Sequence, residues 1–263
     1  MTSLEAIIIG IIQGLTEFLP VSSSGHLELG RALLGENIEE SLTFTVIVHF
    51  ATVLSTLVVF RKDIVYILRQ LFKFENNQEA RFSLYILVSM IPVAIVGFGF
   101  KDQVESLFSG NILLVGIMLM VTGTLLLLTI IIKSNEKNLS VRSAILIGIA
   151  QAIAVIPGIS RSGSTISTGL LLGIRKDIIT RFSFLMVIPP IIGGTMLEVK
   201  ELMEQGGVQS EEITSLSLGF LGAFIAGLAA CQWMIKIVRN GKIQYFAYYC
   251  FFIGIIAIIA SCY

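Results

Sequence analysis

Six stretches of this chain, 41–60, 82–100, 111–132, 180–197, 216–235 and 243–261, are uninterrupted apolar runs. Each approaches the roughly 20 residues an α-helix needs to cross a hydrocarbon core of about 30 Å. Backbone polar groups in hydrocarbon must be satisfied within the chain itself, so runs of this kind fold as helices. The composition agrees, with 55% hydrophobic and 14% charged residues, whereas soluble domains carry about 25% charged residues. The expectation is an all-α, polytopic membrane protein: about six transmembrane helices in one integral-membrane domain over 1–263. The formal net charge is zero, so no polyanion and no nucleic-acid partner is implied. The start, MTSLEAIIIG, lacks the basic n-region of a signal peptide. Cys231, Cys250 and Cys262 show neither metal nor disulfide spacing and read as small core or lipid-facing residues.

Two further apolar stretches, about 4–19 and 143–156, stop short at Pro/Ser/Gly loops, and they are copies of one another. Residues 9–25 read IGIIQGLTEFLPVSSSG and residues 147–163 read IGIAQAIAVIPGISRSG, without a gap. Ile9/Ile147, Gly10/Gly148, Ile11/Ile149, Gln13/Gln151, Ser22/Ser160, Ser24/Ser162 and Gly25/Gly163 are identical pairs. A polar loop at membrane depth is tolerated only where protein or a cavity surrounds it. Two re-entrant helical hairpins are therefore expected, about 4–35 and 141–175, within internal repeats of about 4–132 and 142–263.

The short loops orient the chain. Segments 61–81, 133–142 and 236–242 are rich in Lys and Arg and read as cytoplasmic, whereas 101–110 and 198–215 carry the acidic excess and read as external. Threading the spans through these assignments puts both termini outside. The first hairpin then enters from outside and the second from the cytoplasm, an inverted-topology repeat. Folds of that type place their site near the midplane, at the repeat interface. Pro189-Pro190 is expected to kink span 180–197.

The two loops differ where chemistry would sit. The first carries Glu17, Ser23 and His26; the second has Val155, Arg161 and Ser164 in those places. Gln13 and Glu17, four apart, share a helix face. Ser22, Ser24 and Gly25 in the first loop, and Ser160, Ser162, Gly163 and Thr165 in the second, supply hydroxyls and approachable backbone amides, the makings of an anion nest. Arg161 adds a planar cation suited to two phosphate oxygens, and its partner is either Glu17 or a phosphate. Ser/Gly loops also serve as plain helix breaks, but Glu, His and Arg on matched loops favour a phosphate site. His49 reads as a helix-interface histidine, and Glu28 and Arg31 as a pair on one helix face.

Gln13 through Glu17 into PVSSSGH at 20–26, and PGISRSGST at 157–165, resemble the two motifs of the undecaprenyl-diphosphate phosphatase family of bacterial membranes, associated with bacitracin resistance. The hydrophobic layout fits over essentially the whole chain. The first motif position accepts Glu or Gln, and Gln13 is the Gln form, which leaves Glu17 as the carboxylate. The resemblance implies removal of the terminal phosphate of a C55 polyprenyl diphosphate, a phosphoric-anhydride hydrolysis. The monophosphate carrier then returns to peptidoglycan and envelope-glycan synthesis. It further implies a site open to the extracytoplasmic side and a loosely held divalent cation, Mg²⁺ or Ca²⁺, with Glu17 the metal-binding candidate. A homodimer is carried as an expectation.

On this reading Glu17, Ser23, His26 and Arg161 are the catalytic candidates. Gln13, Ser22, Ser24, Gly25, Ser160, Ser162, Gly163 and Thr165 are the diphosphate-binding candidates. The nucleophile is Ser23, His26 or water. Phe18, Leu19, Phe182 and Phe184 are candidates for the path of the prenyl chain, or else ordinary lipid-facing residues. The competing function is a secondary transporter or lipid-carrier flippase, which also uses inverted repeats and broken helices. The donor density around Arg161 is the feature that favours the phosphatase.

Overall fold

The computed structural model describes residues 2–34, 42–73, 75, 77–107, 110–131, 136–204 and 213–262. Among these the chain is helical, with one isolated bridge between Lys137 and Ile174 and no strand. The first hairpin is α1 (Ser3–Phe18) and α2 (Ser23–Leu34). The second is α8 (Val141–Ile153) and α9 (Arg161–Leu171). Between them come α3 (Leu42–Val59), α4 (Arg61–Leu71), α5 (Gln78–Gly99), α6 (Lys101–Ser106) and α7 (Ile112–Leu128), the last continued by a 3₁₀ turn to Ile131. After them come α10 (Lys176–Leu185), α11 (Ile188–Glu204), α12 (Ile213–Arg239) and α13 (Tyr245–Ala260).

Four segments are long and apolar enough to span: Gln78–Gly99, Ile112–Ile131, Lys176–Met196 and Ile213–Arg239. A fifth arises if α3 and α4 count as one span bent by 71°. The remaining expected span, 243–261, is α13, an apolar helix of 16 residues, about 24 Å long at 1.5 Å per residue. Together these make a multi-pass membrane protein.

Local chemistry sets the helix ends. Asn77 starts α5, its side chain accepting from Ala80 N at 2.9 Å, so that span begins several residues earlier than hydropathy alone suggests. Thr2 and Ser140 form capping boxes at the starts of α1 and α8. The break expected at Pro189-Pro190 falls instead at Met186–Val187. Both prolines sit in the first turn of α11, where a missing N–H costs nothing.

The hairpins are exchanged between the two halves of the chain. The first helix of each packs along a long helix of the other half: α1 on α12, α8 on α5. Gly10 faces Gly219 while Gly14 faces Ala223 and Gly227, so α1 and α12 run in the same direction. The matched glycines make matched contacts. A Cβ at Gly10 would stand 2.3 Å from Gly219 O, and one at Gly148 would stand 2.4 Å from Ser89 O. Backbones at that spacing admit no side chain, the small-residue packing by which helices associate in lipid.

The charged segments gather by end. Lys137 N donates to Gly173 O and Arg175 N to Lys137 O, at 3.0 and 3.1 Å. Arg181 donates to Glu79 at 2.9 and 3.2 Å. Asp63 Oδ1 stands 2.8 Å from Arg181 Nε, an ion pair off the N–H direction. Lys176 lies against Gly241. The basic loops and the mouth of the second hairpin thus share one end, while Glu28 on α2 lies beside Gly110.

Phe18, Phe182 and Phe184 do not face lipid. They lie in the main core with Phe60 and Phe82, at 3%, 0% and 3% exposure. Phe18 and Phe60 both pack on Phe184, with ring centroids 6.1 and 5.7 Å apart. A helix wholly apolar in sequence does not reveal which of its faces meets protein. The expected pairing of Glu28 with Arg31 falls on a side chain outside the described residues.

Candidate active site

The two loops meet tip to tip inside the bundle. Gly25 packs on Gly158, whose φ of +93° is reserved for glycine and whose α-carbon also lies against Val115 on α7. Ser162 Oγ donates across the junction to Leu19 O at 3.2 Å. Thr122 on α7 clamps the second loop, donating to Gly158 O at 3.1 Å and accepting from Ser160 N at 3.0 Å.

Within each loop the repeat is reproduced in its hydrogen bonds. Ser22 Oγ accepts from Gly25 N at 3.2 Å and Ser160 Oγ from Gly163 N at 3.1 Å. The Ser22–Ser24 and Ser160–Ser162 hydroxyls are each 3.3 Å apart. These are N-cap bonds, so the amides of Gly25 and Gly163 are engaged by their own loops. Ser22 holds φ at +69°, in the left-handed region that non-glycine residues seldom occupy. Strain of that kind concentrates at functional sites.

Glu17 is the hub. Oε1 accepts from Arg161, in a close ion pair between the two loops. Oε2 accepts from Gln13 Nε2 and from Ser23 Oγ, each at 3.0 Å. Because a carboxylate only accepts, Gln13 must present its amide nitrogen, which leaves its Oε1 buried and without a partner. His49, on α3, is bonded through Nδ1 to Thr45 O at 2.9 Å, within its own helix.

His26 stands on the first turn of α2. Its Nδ1 lies 2.9 Å from Ser22 O and its Nε2 2.7 Å from the hydroxyl of Tyr249 on α13. Thr165 does not face the junction. It is fully buried, its hydroxyl donating to Arg161 O at 3.0 Å and sharing a 2.6 Å bond with Ser183 on α10. It holds the start of α9, and so Arg161, in place. The other candidates, Gln13, Glu17, Ser22, Ser23, Ser24, Gly25, His26, Ser160, Arg161, Ser162 and Gly163, all lie in the two abutting loops or the helix turns beside them.

The sequence reading missed Thr122, Ser183 and Tyr249. Thr122 had a weak signal, as a polar residue within an apolar run. Tyr249 had none, because YFAYYC is ordinary span chemistry.

The space beside Glu17 and Arg161, bounded by Thr52, Thr56 and Ser183, is about 10 Å³. That is near the minimum for one water. Among the described residues no three His, Cys, Asp or Glu side chains cluster as a metal site.

The sequence profile of the family described as "Bacitracin resistance protein BacA" matches residues 6–256. The chain belongs to this family. BacA-type relatives named "Undecaprenyl-diphosphatase" match it from end to end. One, from Christiangramia forsetii, is 55% identical over 263 residues, 98% of each chain. Another, from Bacteroides fragilis, is 53% identical over 259 residues, covering 98% of this chain and 97% of its own. A third, from Bacteroides thetaiotaomicron, is 52% identical over 263 residues, covering 99% of this chain and all of its own.

Proposed function

We propose that the chain is an undecaprenyl-diphosphatase, releasing inorganic phosphate from the C55 diphosphate and returning the monophosphate carrier to envelope-glycan synthesis. Its action would confer bacitracin resistance. The observation that carries this reading is the junction of two Ser/Gly loops at which a half-buried arginine from one meets a buried carboxylate from the other. Phosphoryl transfer is mainly charge neutralisation and positioning, and this junction holds the groups for both.

Binding begins with an exchange of partners. The terminal phosphate takes Arg161 from Glu17, two oxygens against the planar guanidinium. Ser24 supplies a hydroxyl to the same anion, and Ser162 does so on releasing Leu19 O. Glu17 Oε2, already accepting from Ser23 Oγ, draws off the serine proton as the oxygen attacks phosphorus in line. The bond to the bridging oxygen breaks, and the prenyl monophosphate leaves with the electron pair. Water then attacks the phosphoserine, releasing phosphate and restoring the hydroxyl. The Ser23–Glu17 hydrogen bond favours Ser23 as nucleophile, because His26 has both nitrogens engaged elsewhere.

The orphaned Gln13 Oε1, beside the single carboxylate of Glu17, suits a hard cation. Mg²⁺ is commonly held by one or two carboxylates with substrate phosphates completing the shell. When bound, Mg²⁺ or Ca²⁺ would neutralise phosphate charge, held by Glu17 and the Gln13 amide oxygen.

The site is read as open to the extracytoplasmic side of an inverted repeat. Two observations support this: Lys137, Arg175, Lys176 and Arg181 gather at the mouth of the second hairpin, and Glu28 of the first stands beside the 101–110 segment.

The test is phosphate release from C55 diphosphate by purified, detergent-solubilised protein, with Arg161→Ala and Glu17→Ala alongside, each with and without Mg²⁺ or Ca²⁺. Loss of a preorganised group costs about 10²–10³ in rate, and both variants should show it while still folded. No release by the native protein under any cation would reject the phosphatase reading in favour of a transporter.

A further inference from the structure

Tyr249 lies outside both loops, on α13, yet its side chain reaches the first loop. Its ring lies nearly parallel to that of His26, at 9° with centroids 5.5 Å apart, and its hydroxyl is 2.7 Å from His26 Nε2. The placement of the proton follows from the other nitrogen. Ser22 O is a carbonyl and can only accept, so His26 Nδ1, 2.9 Å away, carries the hydrogen. In the neutral ring Nε2 is then the acceptor, and the Tyr249 hydroxyl donates to it. Tyr249 thereby fixes the tautomer and covers the one free lone pair of the imidazole.

Tyr249 also lines a cavity of about 560 Å³, within the usual range of ligand pockets. Its walls are mostly apolar and include Leu19, Val21, Trp233 and Phe246, with Lys242 also on the lining. Leu19 and Val21 flank Pro20 in the loop that leads to Ser23, so the cavity lies against that loop, and Tyr249 belongs both to its wall and to the His26 contact. A space of that polarity repels a diphosphate and suits the hydrocarbon attached to one. Of the four residues read as a prenyl path, Leu19 alone lines it.

We propose that this cavity takes the isoprenoid units nearest the diphosphate, and that Tyr249 is a positioning residue through which a chain in the cavity uncovers His26 Nε2. The proposal rests on the phosphatase reading above. In the arrangement described, the phenol caps the imidazole. A chain lying along Trp233 and Phe246 displaces the phenol and leaves Nε2 free to accept a proton from the water that attacks the phosphoserine. Diphosphates without an adequate chain leave the cap in place and turn over slowly.

The experiment compares a C5 and a C15 prenyl diphosphate on the native protein, Tyr249→Phe and Leu15→Trp, reading kcat and KM separately. Tyr249→Phe removes only the hydroxyl. It should raise kcat for the C5 substrate about fivefold or more and narrow the C15-to-C5 ratio, whereas a merely structural residue would lower both alike. Leu15→Trp fills the cavity and should raise KM for the C15 substrate about tenfold. In ¹⁵N-histidine-labelled protein the non-protonated Nε2 resonance of His26, assigned by its loss in His26→Asn, should shift in Tyr249→Phe. The same shift should follow addition of a non-hydrolysable C15 diphosphate analogue to the native protein. An unchanged C15-to-C5 ratio in Tyr249→Phe overturns the coupling. An unmoved KM in Leu15→Trp overturns the cavity assignment and gives the space to a bilayer lipid chain. Native protein that turns over neither substrate rejects the phosphatase reading itself, a result distinct from both.

Discussion

Glu17 and Arg161, 144 residues apart in the chain, form an ion pair across the junction of the two hairpin loops. Each residue is the charged departure from an otherwise shared pattern, standing where the other copy has Val155 and Ser23. The pair ties the first hairpin to the second.

Replacing either partner leaves the other buried and uncompensated, which typically costs about 3–5 kcal/mol. The partial exposure of Arg161, 22% of its side chain, lets water offset part of that. Glu17→Gln should therefore fold with a lowered detergent melting temperature and lose about 10²–10³ in phosphate release. Arg161→Lys should keep the charge but not the rate, because an ammonium lacks the planar fork. Full activity in Arg161→Lys would show that charge alone suffices.

Gln13 governs the cation requirement if its orphaned oxygen is a ligand. Gln13→Glu places a second carboxylate there and should lower the Mg²⁺ concentration for half-maximal activity. Gln13→Ala should raise it. Chelation should abolish turnover, and added Mg²⁺ or Ca²⁺ should restore it. Identical cation titrations for all three proteins would remove residue 13 from the cation site.

Helix contact at the matched glycines should be sensitive to a single methyl group. Gly10→Ala or Gly148→Ala inserts a Cβ within 2.4 Å of a carbonyl on the facing helix. Overpacking of this kind costs about 1–3 kcal/mol. Gly30→Ala, with nothing within 4 Å, is the control and should melt no lower than the native protein. Equal melting temperatures for all three would contradict the close approach.

The Arg181–Glu79 pair, with Arg181 also stacked 4.7 Å from the Phe82 ring centre, joins α10 to α5 away from the loop junction. Glu79→Gln should lower the melting temperature, with a cost on the order of 3 kcal/mol before solvent screening is allowed for. Turnover per folded molecule should stay within about twofold. A selective loss of kcat would place this pair in the chemistry instead.

Orientation is testable at a native thiol. Cys262, exposed at the end of α13, should react with a membrane-impermeant maleimide in intact cells. A cysteine placed at Asn77 should react only after permeabilisation. Labelling of position 77 from outside would invert the topology.

Much of this was legible in the chain because membrane folding obeys local rules. The apolar runs, the two broken hairpins and the loops that end them rest on backbone satisfaction and on Pro, Ser and Gly chemistry, which act within a few residues. The repeated segment made Glu17 and Arg161 stand out as mismatched positions of one pattern. Even the Ser22 and Ser160 caps follow from their own loops.

Contacts between distant helices were not legible. Which face of α10 meets protein was undecided, so Phe182 and Phe184 could be read as lipid-facing although they lie in the core. Thr165 carried a motif position but turned to Ser183. Tyr249 and Thr122 carried none and became neighbours of the loops.

What the sequence by itself determined is the helical class, the two loops and their chemical contrast, since these depend on period, length and local hydrogen bonding. Only the tertiary structure decided that the two loops abut, that Glu17 takes Arg161 while Ser23 takes Glu17, and that Tyr249 caps His26. The physical reason is that side-chain pairing is set by the packing of helices against one another. In a chain apolar on every face, hydrophobic pattern does not encode that packing.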